Sequence, residues 1–314
     1  MGRLTSTTPR AGLGLLQICL AGVLWGTGGL GVQVIRDEVP MSVLTISAWR
    51  MAIAAVALLV VVLLLRQLTA LTSLLRARPG RVVLVGCGTA AYQALYFGSV
   101  VAVGVSVSTV VSLGLAPVLL TVAESVRHRS APALAQVGVL VLAIAGLVLV
   151  SLAAGAHEPG PHPTLGVLLA VGSGATYAAT TAVGRSLTLT TSPLTLTTAT
   201  TSVGAVSLMT CAAFSGSLTE GLGDPTVSAT LVYLGVFTMA IAYGLFYAGL
   251  RTVAGSAAVI ATLLEPVTAA VVAALWLDER LGVAGVVGTA LILLAVAGLG
   301  RQEPEVAPPA VPPA

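Results

Sequence analysis

Glu265 stands in the middle of an unbroken apolar run, 253–277, and is followed by a proline. At 1.5 Å per residue its carboxyl lies about 18 Å into the run, near the centre of a hydrocarbon layer roughly 30 Å thick. An acid at that depth costs about 2.5 to 3.5 kcal/mol on insertion, so it faces a cavity, a partner or a solute route rather than lipid. Pro266 has no amide hydrogen, which leaves the Thr262 carbonyl without its helical donor and predicts a kink beside the acid. A carboxyl group that alternately meets water and apolar surroundings can take a proton from one side and release it to the other; held by permanent hydrogen bonds it is only part of the kink. The residue types alone leave both open. An earlier run, 106–126, repeats the design with Ala116-Pro117, so Pro117 and Pro266 are paired kink candidates and only one has an acid beside it.

Arg50 follows Trp49 inside a second apolar run, about 12 Å from its end, deeper than a plain topology signal although a long arginine can snorkel part of the way out. Its guanidinium could fork onto a solute carboxylate, or pair internally with Glu265 and hold the chain together. Polar and aromatic side chains available to recognise a solute are Trp25, Tyr92, Gln93, Tyr96, Tyr177, Tyr243 and Tyr247. Each taken singly is as well explained by packing. Tyr92 and Tyr96 share a helix face with Gln93 beside it, and Tyr243 and Tyr247 repeat the four-residue spacing, so two tyrosine faces could line opposite walls of one cavity. Trp276, at the end of its run, reads as a headgroup anchor.

Enzymatic chemistry has little to use. His128, His157 and His162 all fall between the apolar runs, no two carboxylates are placed as a dyad, and Gly172-Ser173-Gly174 has no histidine partner within the membrane. No catalytic residue is assigned. Cys19, Cys87 and Cys211 lie in apolar runs without metal-ligand spacing and read as packing residues, so neither metal nor cofactor is implied.

The elements that must position these groups are membrane helices. Of 314 residues 57% are hydrophobic and 8% charged, and the mean hydropathy is +1.04, which no water-facing globule can sustain. The lipid bilayer is therefore a partner; nucleic acid is not, because the basic residues form no patch interleaved with aromatics. Ten runs have spanning length: 13–34, 42–65, 82–102, 106–126, 133–153, 165–185, 194–214, 228–250, 253–277 and 282–300. The first follows Arg3 and Arg10 and is too long for a secretory h-region, so it reads as an uncleaved span. The division between the third and fourth runs is the weakest, resting on Gly104 and a few polar residues. The arginine-rich 66–81 segment fits a basic loop that fixes topology better than a short surface helix, although Leu68, Leu71 and Leu75 have helical spacing.

With the N-terminus cytoplasmic, eleven arginines fall on the inner side and two, Arg36 and Arg280, on the outer side, which places both termini inside. Setting Pro117 against Pro266 brings Tyr96-Phe97 within one residue of Phe246-Tyr247 and Trp25 near Tyr177, an internal repeat. Five spans per copy is odd, so the second copy enters the membrane in the opposite sense. The expected fold is an all-α integral membrane protein of ten transmembrane helices in two inverted five-helix repeats, 11–153 and 165–300, with an outer linker at 154–164 and a disordered proline-rich cytoplasmic tail at 301–314. Gly22 and Gly26 in the first run allow close helix approach, as do Ala284 and Gly288 in the tenth, where the contact could lie within a monomer or across a homodimer.

These features together resemble the drug/metabolite transporter superfamily, in particular exporters built from two EamA domains. The resemblance rests on Leu24-Trp25-Gly26, Trp49-Arg50, the small-residue entry and proline of the fourth and ninth runs, and the closing stretch from Ala254 through Glu265-Pro266 to Asp278-Glu279-Arg280-Leu281. It covers about residues 11–300. Arg127-His128-Arg129 departs from the glycine–glutamate–arginine that often closes the first copy. The resemblance implies a secondary carrier of small organic solutes such as amino acids, commonly outward, in a bacterial cytoplasmic membrane, with a central cavity from spans one to four and six to nine. The residues also leave open import, facilitative uniport and, as another class, a membrane-embedded enzyme or scaffold.

Overall fold

The computed structural model describes residues 9–153, 162–215, 218–219, 221–276 and 282–300. Most of the linker, the Asp278-Glu279-Arg280-Leu281 stretch, the tail and the Trp276 side chain lie outside the described residues. All regular elements described are helical. The first crossing is α1 (Pro9–Gly26) and α2 (Gly28–Glu38), interrupted at Thr27, whose hydroxyl donates to the Leu24 carbonyl at 2.7 Å. Then come α3 (Val43–Leu64), α4 (Leu68–Ala77), α5 (Pro79–Val103), α6 (Val105–His128), α7 (Leu134–Ala153), α8 (Pro163–Thr188) and α9 (Pro193–Ser215). The next crossing joins α10 (Pro225–Tyr233), a π-helical segment (Leu234–Ile241) and α11 (Ala242–Gly249). The chain continues through α12 (Gly255–Ala261) and α13 (Leu264–Trp276) to α14 (Val283–Leu299).

Among the described residues nine helical stretches are long and apolar enough to cross a membrane; α14, the tenth expected run, is a shorter apolar helix of 17 residues. Large apolar side chains such as Val101, Leu134, Phe214 and Val283 stand exposed, as contact with lipid tails requires.

Several boundaries differ from the sequence expectation. The first crossing runs through Arg36-Asp37-Glu38 instead of ending near residue 34, and stops at Val39, which is extended (φ −143°, ψ 146°) because Pro40 follows it. The 66–81 segment is not a loop: α4 forms, burying Leu71 and Leu74 against α5 and α9 and leaving Leu68 and Leu75 exposed. Tertiary burial of two leucines therefore outweighs the arginine-rich composition. His128 closes the last turn of α6 rather than lying in a loop. Gly104 does divide α5 from α6, at φ +96°, a conformation that an L side chain rarely adopts.

Close contacts fix helix directions. Gly14, Gly22 and Gly26 of α1 meet Val253, Thr262 and Thr268 in turn, so α1 runs in the same direction as α12 and α13. Tyr177 meets Thr262 and Arg185 meets Val253, so α8 runs against α12, and therefore against α1. α5 pairs with α8, α1 with α11, and α3 with α9. α7 and α14 pack through Gly146 and Gly288, each of whose missing Cβ would sit 2.7 Å from the other's carbonyl oxygen. Of the two roles open for Gly288, the contact described is within the chain.

Candidate functional site

The small residues of α1 bring it onto the kink. A Cβ on Gly22 would lie 3.2 Å from the Thr262 carbonyl oxygen, and one on Gly26 would collide with the Glu265 carbonyl. The kink itself is a break between α12 and α13. The Thr262 carbonyl, deprived of a donor by Pro266, accepts the Glu265 N–H at 2.9 Å in a tightened turn, while the Thr262 hydroxyl donates to the Val259 carbonyl at 2.8 Å. Glu265 thus enters the first turn of α13, where unpaired amides favour an anionic side chain. Its carboxylate has no hydrogen-bond partner among the described residues and lines a cavity of about 540 Å³, within the range of small-molecule sites.

Arg50 reaches the same cavity from α3. One terminal nitrogen donates to the Thr238 hydroxyl at 3.2 Å and lies 3.5 Å from the Met239 sulfur, while its buried Nε has no partner among the described residues. Thr238 and Met239 belong to the π-helical segment, whose widened turn presents both residues towards α3, and the Thr238 hydroxyl in turn donates to the Leu234 carbonyl at 2.6 Å. Gly235 lets the two helices meet, since a Cβ there would lie 3.0 Å from the Arg50 carbonyl oxygen. Arg50 and Glu265 act on one another electrostatically across the cavity, but no ion pair joins them. The internal pair is therefore not what Arg50 makes here.

The aromatic side chains fall into two groups. Trp25 meets Tyr243 edge-on at 5.0 Å between ring centroids, joining α1 to α11; Tyr92 stacks on Tyr177 at 5.0 Å, joining α5 to α8, with Tyr96 next to it at 6.4 Å. All five line the cavity, with Gln93, Phe97 and Pro266. Each group mixes the two halves of the chain: Tyr92 and Tyr96 line the cavity from the first half, and of the matching pair in the second half only Tyr243 does. The hydroxyls of Tyr96 and Tyr177 are held by Thr109 at 2.8 Å and Thr262 at 3.1 Å. Those of Tyr92 and Tyr243 have no protein partner among the described residues. Tyr247 is not among the lining residues: its ring is buried beside Gly184. Pro117 and Ala116 are likewise buried away from the cavity.

From Glu265 the cavity runs to one end of the bundle, lined there by Arg36, Val43, Val100, Val105, Ser106, Ala153 and Ala273. Sequence reasoning placed Arg36 beyond the end of the first run, as an outer-side charge; the extra turn of α2 places it at the mouth, and the Pro40 stop was the available signal. The other end is sealed. Arg185 donates from Nε to the Val253 carbonyl at 3.0 Å, and Glu124 of α6 accepts both the Ser256 N–H, at 3.1 Å, and the Ser256 hydroxyl. Glu124 was also missed, although an acid just inside the end of an apolar run and beside Arg127 was visible.

A bundle of apolar helices around a solute-sized cavity that reaches one end and is charged at mid-depth defines a multi-pass membrane transporter. The chain belongs to the EamA-like transporter family, whose model matches residues 12–152 and again 164–301. It is 31% identical over 279 residues to a protein of Bacillus subtilis (strain 168) described as the uncharacterized transporter YwfM, a match covering 89% of this chain and 90% of that one. A solved crystal structure, 18% identical, has the same fold with a TM-score of 0.77 and covers 93% of this chain and 96% of its own.

Proposed function

We propose that the protein is a ten-span secondary transporter of two inverted repeats, 11–153 and 165–300, that exports an amino acid or similar small solute across the bacterial cytoplasmic membrane by alternating access. Both termini lie inside on this reading, so the cavity mouth, marked by Arg36, faces outward. Inverted repeats are supported by the opposite directions of α1 and α8 and by matched pairings, α1 with α11 and α8 with α5. α14 is the tenth span, short enough at 17 residues to cross with little tilt.

The observation that carries the reading is one cavity holding a cation, Arg50, and an acid, Glu265, with an unused donor on the first and no partner for the second among the described residues, and a wall of aromatic rings. A guanidinium suits a solute carboxylate, the acid suits an ammonium group or a proton, and the rings suit an apolar body. Trp25, Arg50, Tyr92, Gln93, Tyr96, Tyr177, Tyr243 and Glu265 are the binding residues, and Tyr247 supports Tyr243 from behind at 6.2 Å. Glu265 couples flux to protons by binding a proton or the solute in turn.

The test is flux of labelled amino acids and related metabolites in liposomes, with and without a pH gradient. Transport by the wild-type protein that responds to the gradient is expected. Glu265→Gln should cut gradient-driven flux by about a hundredfold, since an amide cannot carry the proton, while leaving the folded protein intact by circular dichroism. Undiminished, gradient-sensitive flux in that variant removes the coupling role.

A further inference from the structure

The two ends of the cavity are built differently. At the sealed end α12 starts at Gly255 with Ala254 before it, a residue with no side chain able to bond the first amides. Glu124, projecting from α6 in the other half of the chain, takes that role: its carboxylate accepts the Ser256 amide at 3.1 Å and the Ser256 hydroxyl, and lies over Gly255, where any side chain would crowd it. On the register that sets Pro117 against Pro266, the residue matching Glu124 is Ala273, and the residues matching Gly255 and Ser256 are Ser106 and Val107. Ala273, Val105 and Ser106 all line the open mouth. An alanine has no group with which to reach across to α6, so position 273 cannot supply the kind of carboxylate bridge that position 124 makes at the other end.

We propose that the Glu124–Ser256 contact is a latch that holds α6 and α12 together and keeps the Arg185 end shut, and that the lack of a matching acid at position 273 sets the empty carrier to rest with its mouth open. The proposal rests on the alternating-access reading and names the residues that bias it. The contact joins the two halves across the line along which they must part, and its acceptor is ionisable and its donors are a backbone amide and a small hydroxyl, so it can break without leaving a large apolar surface to be solvated.

Thr181 reports on the seal. It lies on α8 between Tyr177 at the cavity floor and Arg185 at the sealed end, one turn from each, and is 2% exposed. Val100 lines the cavity near the mouth. With Cys19, Cys87 and Cys211 replaced by alanine, Thr181→Cys and Val100→Cys are introduced separately and the protein is placed in nanodiscs, where a hydrophilic maleimide reaches both faces. The latch predicts slow labelling of Thr181→Cys and fast labelling of Val100→Cys. Adding Glu124→Ala should speed the first at least tenfold and slow the second at least threefold. Ser256→Ala, which removes one of the two bonds and only one oxygen atom, should move both rates in the same direction by a smaller factor, and it carries the test if Glu124→Ala does not fold. Unchanged Thr181→Cys labelling in the folded variants overturns the latch; the carrier reading then stands if wild-type liposome flux persists. Fast labelling at both positions in one variant overturns the latch and alternating access together, because the two ends would be open at once.

Discussion

The runs around Pro117 and Pro266 are alike in sequence and unlike in structure. α6 continues through Pro117 from Val105 to His128, with Ala116 and Pro117 buried against neighbouring helices. The run around Pro266 breaks at Thr262–Leu263 into α12 and α13, and Glu265 turns to the cavity. Each proline removes one amide, but the chain spends the freed carbonyl differently. In the second run the Glu265 N–H takes the Thr262 carbonyl in a tighter turn, with α1 pressed against both residues through Gly22 and Gly26. A proline thus permits a break; the side chains around it decide whether one forms.

The sharpest way to break this comparison is to move the acid. Ala116 is fully buried, so Ala116→Glu would place a carboxyl among packed helices with no cavity to receive it. A loss on the order of 3 to 5 kcal/mol is expected, read as a fall in the thermal midpoint of the purified protein. A stable Ala116→Glu variant would mean that the α6 proline site is as open as its counterpart.

The next effect concerns the cation that faces Glu265. Arg50→Lys keeps the charge but loses the planar fork and the reach to Thr238, and should weaken binding of a carboxylate solute identified by the flux screen about tenfold or more. Thermal shift with and without that solute measures it, and an unaltered shift would assign Arg50 to structure alone.

The smallest difference separates the prolines themselves. Pro266→Ala restores a donor to the Thr262 carbonyl and should straighten the break, lowering flux roughly tenfold, whereas Pro117→Ala should change it by less than about threefold. Equal effects on flux from both would erase the distinction between the two runs.

How much of this was legible beforehand follows from depth and reach. Charge at mid-membrane is so costly that Arg50 and Glu265 announce themselves from sequence, and both line the cavity. Tyrosines carry no such penalty. Tyr92, Tyr96, Tyr177 and Tyr243 face the cavity and Tyr247 does not, yet their spacing gave all equal standing, because helix periodicity shows which residues share a face and not what that face meets. Arg36 and Glu124 were passed over because charges at the ends of apolar runs are normally solvated or serve topology.

By itself the sequence determined the membrane class, the runs that become helices, the division at Gly104 and the depth of the two cavity charges, since each follows from the cost of placing polar groups in hydrocarbon. Tertiary structure alone decided that α4 is a helix, that the π-helical segment presents Thr238 to Arg50, that α12 parts from α13, and that Glu124 bonds Ser256 across the two halves. Those outcomes depend on which helix lies against which, and contacts between residues more than a hundred positions apart leave no periodic trace along the chain.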